Sequence, residues 1–250
     1  MSQLNGVVLI TGGSSGIGSA IAEKAGDEGY PVCINYCKSD RAALKLKEKL
    51  EAKNYLVKTV KSDISTEDGV NTLFKEVDSF GRLHALVNNA GIISKMHEFH
   101  SFSFSQLQKV FQVNVFGSFL CAREAVKRMS KNFGGQGGCI VNISSIASRL
   151  GSPNEFIDYA ASKGAIDTFT TGLGKEVSNQ GIRVNAVRPG LIDTELHAHS
   201  GDGERAEKLK NNIPLKRVGT PSEVAELVLW LLSDKSSYVS GALYDVSGGR

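Results

Sequence analysis

The stretch Val7-Val8-Leu9-Ile10-Thr11-Gly12-Gly13-Ser14-Ser15-Gly16-Ile17-Gly18 decides how this chain folds. A continuous apolar run stops at a glycine-rich turn, and Gly16 opens an amphipathic stretch that reaches Glu28. An unbroken apolar run of this length predicts a strand buried on both faces. Glycines after such a strand let the backbone approach a pyrophosphate without Cβ clashes. The following helix N-terminus offers free N–H groups and the positive end of its dipole. Placed between a first strand and a first helix, this turn points to a dinucleotide.

The same alternation continues outward. Apolar runs at Gly6–Thr11, Pro31–Tyr36, Tyr55–Lys61, His84–Asn88, Cys139–Ile143, Ile182–Val187 and Ala242–Val246 predict strands. Between them, Gly16–Glu28, Ser39–Lys53, Thr66–Phe80, Phe104–Lys131, Asp158–Ser178 and Pro221–Ser233 predict helices. Thr220-Pro221-Ser222-Glu223 reads as an N-cap with proline at the first helical position. Strand–helix alternation over the whole length predicts an α/β fold with a parallel sheet and right-handed crossovers. No shift in composition marks a second domain, and Gly134–Gly138 reads as a loop.

The 250 residues are 41% apolar and 22% charged, which argues against disorder. Glycine numbers 27, against about 17 at average usage, and suggests close backbone approaches. The net charge is +3 with no basic tract, so nucleic-acid binding is not expected. Cys33, Cys37, Cys121 and Cys139 form no Cys-x-x-Cys pair and read as free thiols of a reducing compartment. No apolar run approaches the ~18 residues of a membrane span. Met1–Gly6 leaves no room for a signal peptide, so a cytoplasmic protein is expected. His97/His100 and His197/His199 lack metal-site spacing, and no metal is expected.

Further residues fall at strand ends, where open α/β sheets bind ligands. After strand two the chain reads Asn35-Tyr36-Cys37-Lys38-Ser39. A carboxylate there would hold an adenosine ribose 2′-hydroxyl. Its absence, with Lys38 present, predicts NADP(H) in preference to NAD(H). After strand three, Ser62-Asp63-Ile64 carries a polar pair that could hydrogen-bond an adenine edge, with an N-cap for the next helix as the competing role. Asn88-Asn89-Ala90-Gly91 after strand four lines the crevice.

Tyr159 and Lys163 stand four apart at the start of a predicted helix and so share one face. A tyrosine beside an ammonium is expected to have a lowered pKa and to exchange a proton with an alcohol or carbonyl. Strand five ends in Asn142-Ile143-Ser144-Ser145, where a serine, Ser144 or Ser145, can donate to a substrate carbonyl.

These motifs, in this order, resemble the short-chain dehydrogenase/reductase family. The matches are Thr11–Gly18, Asn88–Gly91, Asn114, Ser145, Tyr159/Lys163, Pro189-Gly190 and the ending Val239-Ser240-Gly241…Asp245-Val246-Ser247-Gly248-Gly249. The resemblance implies a Rossmann-type, doubly wound seven-stranded parallel sheet of order 3-2-1-4-5-6-7, as a single domain. It implies Tyr159 as general acid/base and Ser145 as orienter of the carbonyl. Lys163 would hold the nicotinamide ribose and lower the Tyr159 pKa. Asn114 would distort its helix and hold a water linking Lys163 to solvent.

Gly12, Ser14, Ser15, Gly16, Ile17 and Gly18 would hold the cofactor at the first turn, and Tyr36 and Lys38 beyond strand two. Asp63, Ile64, Asn89, Ala90 and Gly91 would continue its site. Pro189, Gly190, Ile192 and Thr194 would lie at the nicotinamide. Ser15 departs from the basic residue of many NADP-dependent members. The segment at about 193–217, with a helix-like stretch at 204–212, would close over the substrate. Phe99, Phe102, Phe104, Phe156 and Leu196 are candidates for an apolar wall.

The resemblance further suggests a homotetramer packed through the Phe104–Lys131 and Asp158–Ser178 helices. The expected function is hydride transfer between NADP(H) and a small-molecule carbonyl or secondary alcohol, a sugar or a keto-ester. A catalytically silent dinucleotide-binding scaffold or sensor is the alternative, and a methyltransferase on a related sheet a distant third.

Overall fold

The computed structural model describes residues 6–94, 96, 98–194 and 210–250. Seven strands form the sheet: β1 (Val7–Ile10), β2 (Val32–Tyr36), β3 (Val57–Lys61), β4 (Leu83–Asn88), β5 (Gly138–Ile143), β6 (Ile182–Pro189) and β7 (Leu243–Val246). Every pairing is parallel, in the order β3-β2-β1-β4-β5-β6-β7. The expected fold class and strand order hold, in one Rossmann-like domain. Strand direction of travel reverses between β1 and β4, which opens a crevice at their C-terminal ends.

The helices are α1 (Gly16–Asp27), α2 (Asp40–Glu51), α3 (Glu67–Phe80), α4 (Phe104–Phe111), α5 (Ser118–Met129), α6 (Ala147–Leu150), α7 (Ile157–Val177) and α8 (Pro221–Leu232). They bury both faces of the sheet, which is why its strands are apolar without alternation. In β1, Val8 and Ile10 join a core with Ile21 of α1, Leu50 of α2 and Val228 of α8. Val7 and Leu9 point the other way, into a core with Leu73 of α3, Ala122 of α5 and Val177 of α7. Thr220 caps α8 as expected. Its hydroxyl accepts from the Glu223 N–H while the Glu223 carboxylate accepts from the Thr220 N–H, a reciprocal capping box.

Two elements differ from the expected helices: α6 is not among them, and the long fourth helix is broken where Asn114 is expected to distort it. Phe104–Lys131 does not form one α-helix. It is interrupted by a π-helical turn, Gln112–Gly117, and ends in a 3-10 turn at Lys131–Phe133. The interruption is centred on Asn114, whose side chain leaves the helix to bond another segment, and π-turns of this kind concentrate at functional sites. Among the described residues, no helix is long and apolar enough to cross a membrane. No group of three or more His, Cys, Asp or Glu among them is placed to hold a metal ion. His97, Leu196, His197 and His199 lie outside the described residues, as does most of the expected closing segment at 193–217.

Candidate active site

The C-terminal strand ends and their loops enclose one long cleft of about 1320 Å³. It runs from the β2–α2 turn, past the glycine turn, to the first turn of α7.

The glycine turn is held by buried polar side chains. Thr11 is fully buried, and its hydroxyl accepts the N–H groups of Asn89 and Ala90, both at 3.1 Å. The Asn89 amide donates back to the carbonyls of Thr11 and Gly12 at 3.0 and 2.9 Å. Gly12 and Gly16 have φ of +59° and +55°, a left-handed backbone that favours glycine. Ser15 caps α1 without a side-chain hydrogen bond, and no acid stands in the first turn. The first N–H groups of α1 therefore face the cleft with no side chain satisfying them. A glycine-rich turn that leads into an uncapped helix start fits a pyrophosphate.

Gly12, Ser14, Ser15, Gly16, Ile17, Tyr36, Lys38, Asp63, Ile64, Asn89, Ala90, Gly91, Pro189, Gly190, Ile192 and Thr194 all line the cleft. Gly18, also expected at the cofactor, does not line the cleft. It sits beneath the turn, where an added Cβ would come 2.5 Å from Asn89 Nδ2 and 2.7 Å from the Gly12 oxygen. Its role is close packing of α1 under the loop. Asn89 likewise spends its side chain on the turn and meets the cleft with its remaining surface.

At the β2 end, Lys38 is exposed. The first carboxylate downstream, Asp40, is bonded to Lys61 Nζ at 2.7 Å and to the Tyr36 hydroxyl. One Asp63 oxygen accepts from the Ser65 N–H at 3.0 Å, while Thr66 caps α3.

The other end gathers Ser145, Tyr159 and Lys163. Ser145 stands close enough to Tyr159 to favour its charged form, and its Oγ accepts the Ala147 N–H at 3.1 Å. Ser144, the weighed alternative, is 2% exposed and donates to the Lys163 carbonyl at 3.2 Å, so its hydroxyl is committed to α7. Lys163 is 4% exposed; its Nζ donates to the Ile143 carbonyl at 2.7 Å and lies 5.6 Å from the Tyr159 ring centroid. Burial pushes Lys163 down to about 8.

The expected lowering of the Tyr159 pKa is not found. Burial raises it, and the nearby Ser145 only partly opposes that. The ammonium bonds a backbone carbonyl rather than the phenol, so its help to a phenolate is small beside the loss of hydration.

Asn114 is fully buried and does not line the cleft. Its Oδ1 accepts the Ile92 N–H at 2.8 Å, and its Nδ2 donates to the Ile92 carbonyl and to Ser162 Oγ, each at 3.0 Å. Ser162 in turn donates to the Tyr159 carbonyl at 2.7 Å. The π-turn is thereby tied to the first turn of α7. A Cβ on Gly91 would lie 3.5 Å from both Asn114 Oδ1 and Lys163 Nζ, so these three groups meet at one point.

Sequence reasoning missed several supports. Asn35 is buried and donates to Ser62 Oγ at 2.9 Å, which joins β2 to β3 below the cleft. Asp158, 3% exposed, accepts from Ser94 Oγ and from the Tyr159 N–H. Asn88, Asn142 and Thr170 form a buried ladder from β4 through β5 to α7. Arg250 lines the cleft. The Asn35–Ser62, Asp158–Ser94 and Asn88–Asn142–Thr170 partners are distant in sequence, so no local pattern marks them. Of the aromatic candidates, Phe156 is buried and lines the cleft, whereas Phe99 and Phe104 are exposed and do not.

A family model described as enoyl-(acyl carrier protein) reductase matches residues 12–250. A Serratia marcescens short-chain dehydrogenase/reductase, solved as a double mutant, superposes with a TM-score of 0.91 at 29% identity; the match covers 100% of this chain and 99% of that one.

The chain belongs to the short-chain dehydrogenase/reductase family.

Among curated family members, the uncharacterized oxidoreductase YgfF of Escherichia coli is 49% identical over 245 residues, 98% of this chain and 99% of that protein. Glucose 1-dehydrogenase 2 of Bacillus subtilis is 37% identical over 242 residues, 96% and 93% of the two. The family is one of oxidoreductases that bind nicotinamide dinucleotides.

Proposed function

We propose that the chain is an NADP(H)-dependent oxidoreductase that interconverts a small carbonyl compound and a secondary alcohol. The carrying observation is the convergence of Ser145, Tyr159 and Lys163 at one end of a cleft whose middle is an uncapped helix start.

The turn Gly12–Gly18 and the start of α1 hold the pyrophosphate. Tyr36 and Lys38 receive the adenosine ribose and its 2′-phosphate; Asp40, paired with Lys61, does not oppose that charge. Asp63 and Ile64 flank the adenine, and Asn89, Ala90 and Gly91 form the floor between the two halves. Pro189, Gly190, Ile192 and Thr194 hold the nicotinamide carboxamide end, and Lys163 its ribose. Bound nicotinamide supplies the hydride for carbonyl reduction and accepts it in alcohol oxidation.

Ser145 orients the substrate oxygen. Tyr159, whose pKa burial raises, is protonated at neutral pH and donates from its hydroxyl to that oxygen during reduction. In the oxidative direction the same hydroxyl, deprotonated, takes the alcohol proton. Asn114 positions α7 and the 90–92 segment rather than touching substrate.

Tyr159→Phe removes the proton donor with little change of shape. Turnover falls at least ~100-fold while NADPH binding is retained. The measurement is NADPH oxidation over aldehydes, ketones and keto-esters, and NADP+ reduction over sugars. Near-normal turnover refutes the assignment, and tight NADPH binding with no turnover on any probe favours the silent scaffold. For the cofactor, wild-type enzyme has the higher kcat/KM with NADPH than with NADH, and Lys38→Ala narrows the gap. A clear NADH preference overturns that part alone.

The reading includes a homotetramer packed through α5 and α7. Phe119 is 43% exposed and stacked on Phe169, and Phe116, three residues earlier, is 50% exposed. Gly164 and Gly172 lie inside α7 with nothing within 4 Å of an added Cβ, which leaves room for a neighbouring helix.

A further inference from the structure

Asp167 stands one helical turn beyond Lys163 on α7, so the two share a face. Its side chain is only 13% exposed. One carboxylate oxygen, Oδ1, is buried with no hydrogen-bond partner among the described residues. The other, Oδ2, is 3.5 Å from Arg188 Nη1, an ion pair at the edge of hydrogen-bonding range. Arg188 is drawn instead to Asp245, at 2.6 Å, and Asp245 also holds Arg149 at 2.5 Å. Leaving a buried carboxylate oxygen unpaired costs stability, and its retention needs a reason.

The groups around Lys163 supply one. The Lys163 Nζ faces the Tyr159 ring on α7, the Ile143 carbonyl at the end of β5, and, across Gly91, Asn114 Oδ1. Asp167 is the charged group that acts on it, opposing the effect of burial. Around Asp167 itself stand Lys163 on α7, Arg188 on β6, and Asp245 on β7 with Arg149 on α6 behind it.

We propose that Asp167 is a positioning residue, a half-paired buried carboxylate whose charge keeps Lys163 an ammonium and so acts on Tyr159 from outside the cleft. This rests on the roles given above to Lys163 and Tyr159, but its test needs no substrate.

The ligand-free enzyme, labelled with ¹³C at the lysine side chains, is titrated by NMR, and the Lys163 signal is identified by its loss in Lys163→Met. Asp167→Asn lowers the Lys163 midpoint by about half a pH unit or more, a threefold change in proton affinity. Asp167→Glu, which keeps the charge, restores much of it. A midpoint unmoved by Asp167→Asn overturns the proposal, even if the melting temperature falls, because a purely structural tie predicts that pattern. If Asp167→Asn does not fold, Asp167→Ser removes the same charge with less bulk and is expected to shift Lys163 downward as well. An unchanged midpoint there is equally fatal. Failure of the oxidoreductase reading would appear separately, as absent turnover on every carbonyl probe.

Discussion

At Tyr159 and Lys163 burial opposes charge on both side chains, raising the first and pushing the second to about 8. A pair so placed is sensitive to any nearby charge. The residue types and their spacing were legible in the sequence; the direction of the Tyr159 shift was not, because it depends on which atom the ammonium bonds. His84 offers a second case at this scale. It stacks on Tyr30 with ring centroids 5.6 Å apart, and its Nε2 is buried with no hydrogen-bond partner among the described residues. Burial lowers its pKa from 6.5. Below pH 6.5 the unfolded chain therefore binds a proton that the folded chain resists, and stability falls as pH falls through that window. Urea unfolding of wild type and His84→Phe at pH 7.5 and 5 tests this. The midpoint of wild type drops more than that of the variant; equal drops would remove His84 from the account.

Among the elements, α1 shows how one glycine serves packing while its neighbours serve a ligand. Gly12, Gly16 and Gly18 read alike in the sequence, as one phosphate-binding motif. The fold separates them: the first two have left-handed backbone at the cleft, and Gly18 lies buried against Asn89 and Gly12. Gly18→Ala places a Cβ against backbone atoms that cannot yield cheaply and destabilises the fold by about 1–3 kcal/mol. Equilibrium unfolding in urea measures it, and a loss within error would mean that α1 shifts freely. The α4–α5 stretch makes the converse point. Its composition is helical throughout, and only the long-range bonds of Asn114 to Ile92 and Ser162 explain the π-turn inside it. Strands were the more legible elements, since burial on both faces writes itself as continuous apolar runs.

For the whole molecule, the exposed aromatic and glycine surface of α5 and α7 predicts self-association. Light scattering on the purified chain is expected to give about four times the 26.8 kDa chain mass. Replacing Phe119 by Glu adds charge to that surface and lowers the mass, and a monomeric wild type would refute the assembly. By itself the sequence determined the α/β class, the dinucleotide turn and the Tyr159/Lys163 pair, because these depend on local periodicity and on spacing along one helix. Only the tertiary structure decided that the Ser144 hydroxyl turns to the Lys163 carbonyl, that Gly18 packs beneath the glycine turn, and that a π-turn breaks the long helix at Asn114. The physical reason is that hydrogen bonds and burial join residues far apart in the chain, and their energies depend on distances that residue order does not contain.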